Sequence, residues 1–309
     1  MKRVVVRVTL APVMMLAVLS VVFLVLHVLP GNPAAVLLNG APASPQTVKN
    51  LEHYFGLDRS LSVQYGVFVK HIFSGNLGRS YVTGQPVSSM IGAALPSTLE
   101  LASAALVISV LVGIGLGVLS AVHRGRALDA AVRLISQFGI SVPSFWTGLI
   151  LILIFSYHLR WFPSIGGSGI RGLTLPAVTL GLVGAGVLTR IVRNSVLETD
   201  RQLFVLQLHA KGLSGARVTG VHVLRNGFIA AMTAIGLLFA ELLAGTVVIE
   251  TVFSRAGVGR LLVTAITSRD IPVAQGTVIV IAGLYVFVNL AVDASYVVLD
   301  PRLRRQRHA

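Results

Sequence analysis

Cysteine is absent from the 309 residues, which excludes disulfides, thiolate metal sites and cysteine nucleophiles. Charge is scarce as well: Asp, Glu, Lys and Arg make up 12% of the chain against 54% hydrophobic residues, and the mean hydropathy is +0.83. A water-soluble domain could not cover that much apolar surface with so few polar side chains, so the composition points to a membrane protein. Acids are the rarer sign, 11 against 25 basic residues, for a formal net charge of +14. No basic run is interleaved with aromatic residues as a nucleic-acid groove requires, which removes nucleic acid as a partner. Only four lysines occur, Lys2, Lys49, Lys70 and Lys211, and none is followed by Ser or Thr. A phosphate-cradling GxxxxGK[ST] loop is therefore missing, and the chain is not expected to be an ATPase or any other enzyme. The eight histidines show no HExxH and no paired ligand spacing, so neither a metal site nor a cofactor is expected.

Long apolar runs take the place of these features. Lys2, Arg3 and Arg7 precede residues 8–29, a run as long as the roughly 20 residues that cross a bilayer and longer than the 7–15-residue core of a signal peptide. It reads as a retained first span. Residues 97–121, 134–157, 173–192, 229–250 and 275–299 supply five more, giving an all-α membrane protein with six transmembrane helices. Gly181, Gly184 and Gly186 favour close helix packing in the fourth of these runs, and Gly113 with Gly117 reads as a packing face, because no strand precedes it. The expected divisions are residues 1–30 with the first span, 31–94 as an external insertion with short helices, 95–299 as a five-helix core, and 300–309 as a tail. Within the insertion, Ser44-Pro45 opens a short helix ending at Gly56, and Leu61, Tyr65, Phe68 and Ile72 form one stripe of a second.

Orientation follows from the basic residues. With the N-terminus inside, sixteen Lys and Arg fall in inner segments and nine in outer ones, and the largest outer group sits in the long first loop, where charge matters least. Both termini and the polar loop at about 194–228 then face the cytoplasm.

That loop is the longest basic interval between apolar segments in the second half. Residues 200–211 suit a helix, Gly212 suits its C-cap, and Ser214 suits the N-cap of a second helix through Val223. Small residues at the corner, Ala210 and Gly212, let another surface approach the backbone. Two readings of such a segment stand: contact with anionic membrane lipids, or docking of a protein. Ala210-Lys211-Gly212-Leu213 followed by His222 and Leu224-Arg225-Asn226 resembles the "EAA" loop of ATP-binding-cassette importer permeases. Phe55-Gly56-Leu57-Asp58, Gly75-Asn76-Leu77-Gly78-Arg79-Ser80, the stretch 251–261, Arg269-Asp270-Ile271-Pro272 and Asp300-Pro301-Arg302 extend the likeness. Together they resemble the B-type permease subunits of dipeptide and oligopeptide importers of the peptide/nickel family.

The resemblance implies a type I importer permease fold in a bacterial inner membrane, with the insertion outside. It implies a homologous C-type permease subunit as partner, two cytoplasmic ATPase subunits or domains that bind ATP and Mg, and an external substrate-binding protein. The ATPase-facing residues would be Phe204, Gln207, His209, Ala210, Lys211, Gly212, Leu213, His222, Arg225 and Asn226, with Gln207-Leu208-His209 standing where the family usually has Thr-Ala-Arg. An outer loop carrying Phe253, Gly257, Gly259, Arg269 and Asp270 would meet the binding protein. Peptides are the expected cargo; related permeases carry nickel, glutathione and other small solutes. A rival reading, a secondary transporter on an ion gradient, rests on Glu241 and Asp293 deep in spans. These acids either pair with arginines such as Arg190 or Arg193 or line the path. His27 reads as a packing residue or a proton relay, and Glu100 and Glu250 reach the interface from span ends.

Overall fold

The computed structural model describes the backbone of residues 2–28, 46, 49–50, 53, 58–167 and 169–299. The short helix expected over 44–56, the Phe55-Gly56-Leu57 segment, the tail 300–309 and the side chains of His27 and Asp293 lie outside the described residues. The described chain is helical: α1 (Lys2–Val28), α2 (Leu61–Phe73), α3 (Val87–Val122), α4 (Ala127–Ser141), α5 (Ser144–Leu151), α6 (Gly169–Asp200), α7 (Leu203–Ala210), α8 (Leu224–Val252), α9 (Val258–Thr267) and α10 (Ile271–Leu299). Helices suit a lipid solvent because each satisfies its own backbone hydrogen bonds.

Among the described residues, four segments are long and apolar enough to cross a membrane: Val87–Val122, Gly169–Asp200, Ala234–Val252 and Ile271–Val292. The run 134–157 differs from the single straight span expected of it. It breaks between α4 and α5, and the two parts are bent by 105°. Pro143 is the cause, because a proline disfavours helical backbone in the residue before it, and Val142 is extended at φ −84°, ψ 129°. Beyond α5 the coil widens into π-helical turns over Ile152–His158. Counting the bent pair as one span gives up to five, and α1 contributes a shorter apolar stretch, Pro12–Val25. Leu111, Leu134 and Phe138 are among many large apolar side chains left open, an arrangement that is costly in water and favourable in lipid.

By compactness the chain divides in two, one unit drawn from Met1–Thr98 and Ala256–Leu290 and the other from Leu99–Arg255 and Ala291–Ala309. In the second, α6 is the axis, with 67% of its apolar window buried. Leu175, Leu180 and Leu188 of α6 pack with Leu101 and Ala105 of α3 and Leu238, Leu242 and Ile249 of α8. Of the glycines read as packing residues, Gly113, Gly117, Gly181 and Gly184 are where α3 and α6 touch, and Gly186 lies against Ser136 and Ile140 of α4. A Cβ on Gly113 would lie 2.7 Å from Leu188 Cβ, and one on Gly117 would lie 2.7 Å from Val192 Cβ. Ser109 Oγ donates to the carbonyl of Gly181 at 2.9 Å across the same contact. Small residues admit a close backbone approach that dispersion then rewards.

In the first unit α2 lies on α1 through the expected stripe: Phe23 meets Tyr65 edge-on at 5.3 Å and Phe68 at 5.6 Å, and Ser20 Oγ is 2.7 Å from the Tyr65 hydroxyl. A separate core joins Val87 and Ile91 of α3 to Ala265 of α9 and Val273 and Ala274 of α10. Asp58 Oδ2 stands 2.7 Å from His53 Nδ1, and that hydrogen bond holds the Asp58 carboxyl below its ordinary range.

Candidate functional site

Helix α6 ends at Asp200, and after Arg201 the extended Gln202 starts α7. The end of α7 meets the expectation for Gly212. Its φ is +83°, the left-handed region that costs glycine least, and the turn closes with Gly212 N–H donating to His209 O at 2.9 Å and Leu213 N–H donating to Leu208 O at 3.3 Å. These two bonds form a Schellman cap, with Leu208 and Leu213 both packed inward beneath it. Ser214 then begins the second helix, but that helix does not stop at Val223. A turn Gly215–Arg217 widens into π-helical Val218–Val223 and runs without a break into α8. The loop is thus the leading end of a span helix.

Apolar anchors fasten the loop. Val205, Val218 and Val223 are buried against Val192 and Val196 of α6, Ala121 of α3 and Ala231 of α8. Ser195 Oγ adds a hydrogen bond to Gly227 O at 2.9 Å. Among the residues expected to face a partner, Phe204 and Leu213 are half-buried anchors, while Gln207, His209, Ala210, Lys211 and Gly212 form an exposed corner. His222 is half-buried, Arg225 and Asn226 are exposed, and Asn226 Nδ2 donates to His222 O at 2.9 Å. Two leucines join the corner that sequence reasoning did not single out: Leu203 is 79% exposed and Leu206 68%. Their spacing of three places them on one helical face, and that spacing next to the buried Val205 was the available signal.

A buried charge cluster lies where α3, α4 and α6 converge, and it was missed. Asp129 is 1% exposed; Arg193 donates to it from Nε at 2.8 Å and from Nη2 at 3.0 Å, Ser120 Oγ donates at 2.6 Å, and the Gly125 amide donates at 3.0 Å. Every acceptor position of this carboxylate is occupied in a two-pronged arginine pair. Arg193 is therefore not a partner for Glu241. Glu241 is exposed on α8, and among the described residues it makes no ion pair. Glu250, expected at an interface, is fully buried, whereas Glu100 is half-exposed and binds Arg255 Nη2 at 3.0 Å.

The residues of the expected outer loop fall in both units. Phe253 belongs to the core around α6 and α8. Gly257, Gly259, Arg269 and Asp270 belong to the other unit, where Thr98 Oγ1 accepts the Val258 amide at 2.8 Å and so caps α9. There Asp270, 3% exposed, draws together two stretches that are far apart in sequence. Its Oδ2 accepts Ser80 Oγ and its Oδ1 accepts the Tyr81 amide at 3.0 Å, while Ser80 Oγ also accepts the amides of Val82 and Thr83. Burial, with the charge of Asp270 adding to it, pushes the Tyr81 phenol above its ordinary range. Arg269 adopts φ +56° so that the Asp270 amide can reach Ala265 O at 2.8 Å.

The family of binding-protein-dependent transport system inner membrane components matches residues 113–305, and its companion N-terminal family matches residues 1–102. A di/tripeptide transport system permease protein of Pseudomonas aeruginosa is 38% identical over 313 residues, covering 92% of this chain and 93% of that one. A dipeptide transport system permease protein of Alkalihalophilus pseudofirmus is 33% identical over 312 residues, again covering 92% and 93%. Among solved structures, the inward-facing MetNI methionine ABC transporter has a chain that matches with a TM-score of 0.55 at 19% identity, covering 68% of this chain and 96% of that one. The fold is that of type I importer permeases.

Proposed function

Because the chain belongs to the binding-protein-dependent transport system inner membrane components, a family of multi-pass membrane permeases, we propose that it is the B-type permease subunit of an ATP-driven importer of di- or oligopeptides. Full-length similarity to relatives named for peptide transport carries this reading. In it, a homologous C-type subunit completes the path, an external binding protein delivers the cargo, and two cytoplasmic ATPase subunits or domains hold ATP and Mg. The bias of Lys and Arg supports cytoplasmic termini and a cytoplasmic loop.

Within that reading α7 is the coupling helix. Leu203, Leu206 and the Ala210–Gly212 corner offer an apolar and sterically open tip to an ATPase cleft, and a Cβ at Gly212 would meet nothing within 4 Å. Closure of the ATPases would move the tip, and the valine anchors would carry that motion into α6 and α8 as a rigid body. The path would then alternate between inward and outward access.

Gly212→Val tests the lever. A β-branched residue is strained at φ +83° by about 1–2 kcal/mol, so the Schellman turn should distort at the point of docking while the distant core stays intact. The purified complex should keep its subunits, yet lose transport and the stimulation of ATP hydrolysis by loaded binding protein. An assembled variant complex with undiminished transport would remove the loop from the mechanism, and failure of the wild-type chain to copurify with any ATPase would remove the importer reading itself.

A further inference from the structure

Glu241 lies in the apolar stretch Ala234–Val252, about 10 Å from one end and about 16 Å from the other at 1.5 Å per residue. In a hydrocarbon layer about 30 Å thick that depth is far from either headgroup region. Its side chain is nonetheless exposed; Arg193 is committed to Asp129 and Arg255 to Glu100, and among the described residues neither Glu241 nor the exposed Arg190 makes an ion pair. Leu237, Glu241, Ala244, Val248 and Thr251 recur at spacings of four and three and are all exposed, so they form one open stripe of α8. The opposite face, with Leu238, Leu242 and Ile249, is in the core. A carboxylate in the middle of a stripe is strongly disfavoured against lipid tails, so this stripe fronts water or a cation.

Resting on the peptide-permease reading, we propose that Glu241 lines the translocation path and is a subsite for the basic side chains of a cargo peptide. An ammonium donates strong charge-assisted hydrogen bonds to a carboxylate. Leu237 and Val248 flank the carboxylate with apolar surface, and the small Ala244, one turn along, leaves room for the group to approach. A single carboxylate on an open face holds a cation briefly and releases it, as a passage requires and a storage site does not. Selection for shape would remain with the binding protein, and the permease would add a preference for charge.

The experiment uses the whole complex in proteoliposomes, driven by saturating loaded binding protein, so that binder affinity drops out. Turnover is compared for peptides that differ in one side chain, lysine against a neutral residue of similar length. Glu241→Gln should lower turnover of the lysine peptide about 5- to 10-fold and leave the neutral peptide within 2-fold, while Glu241→Asp keeps most of the preference. Equal loss for both peptides, or no loss for either, overturns the proposal. So does loss of the second permease subunit from the Glu241→Gln complex, which would assign the carboxylate to a subunit contact. A wild-type complex that moves neither peptide overturns the peptide-permease reading beneath it, and that result is seen before any variant is compared.

Discussion

Asp129→Asn isolates one buried charge without changing side-chain size. Asp129 accepts Ser120 Oγ on one oxygen at 2.6 Å and the Gly125 amide on the other at 3.0 Å, so the amide, with a single acceptor oxygen, keeps only one of these two bonds, and Arg193 loses its counter-ion. Removing one partner from a buried ion pair costs about 3–5 kcal/mol, because the remaining charge stays out of water. The Arg193 side chain is 17% exposed, which puts the cost toward the lower figure, about 3 kcal/mol. Arg133 does little to offset it, since its Nε lies 3.6 Å from Asp129 on a side chain 58% exposed. A loss of 3 kcal/mol is about a hundredfold in the folded ratio, and for a protein of this size a fall of roughly 5–10 °C in Tm. Thermal denaturation of the detergent-purified protein, followed by the monodisperse fraction on size exclusion, measures it. Combining Asp129→Asn with Arg193→Gln removes both charges and should recover most of the loss. If Asp129→Asn melts with the wild type, or the double variant is no better than the single, the charge pair is not what holds α4 to α3 and α6.

The α3–α6 contact makes a second test: Gly113→Ala puts a Cβ 2.7 Å from Leu188 Cβ and 3.1 Å from Ala185 O, neither of which can rotate away, so overpacking should cost about 1–3 kcal/mol in the same melt. Gly115→Ala on the same helix has nothing within 4 Å and should melt with the wild type, which serves as the control. For orientation, single cysteines at Ser62 and Ser214, both exposed, should react with an impermeant thiol reagent from opposite sides of the membrane; labelling of both from outside sealed cells would refute the orientation read from charge.

The sequence alone was enough for the properties that depend on composition and on neighbours along the chain. Apolar run length reports membrane class, and four of the expected runs are helices long enough to cross. The Gly212 cap was legible because backbone strain at positive φ is local, and so was the aromatic stripe of α2 because its period belongs to the helix itself. The glycines of α3 and α6 advertised a close contact without saying which helix each would meet. Hydropathy averages apolarity and is blind to direction, so the 105° bend at Pro143 did not register in the run 134–157. Asp129 and Arg193 are 64 residues apart, Ser80 and Asp270 are 190 apart, and no local pattern pairs them. Sequence separated Glu241 from Glu250 by depth along the helix and set Glu250 at the interface, yet the packing of α8 leaves Glu241 open and encloses Glu250. Burial belongs to a helix face, and which face is covered is decided by the other helices.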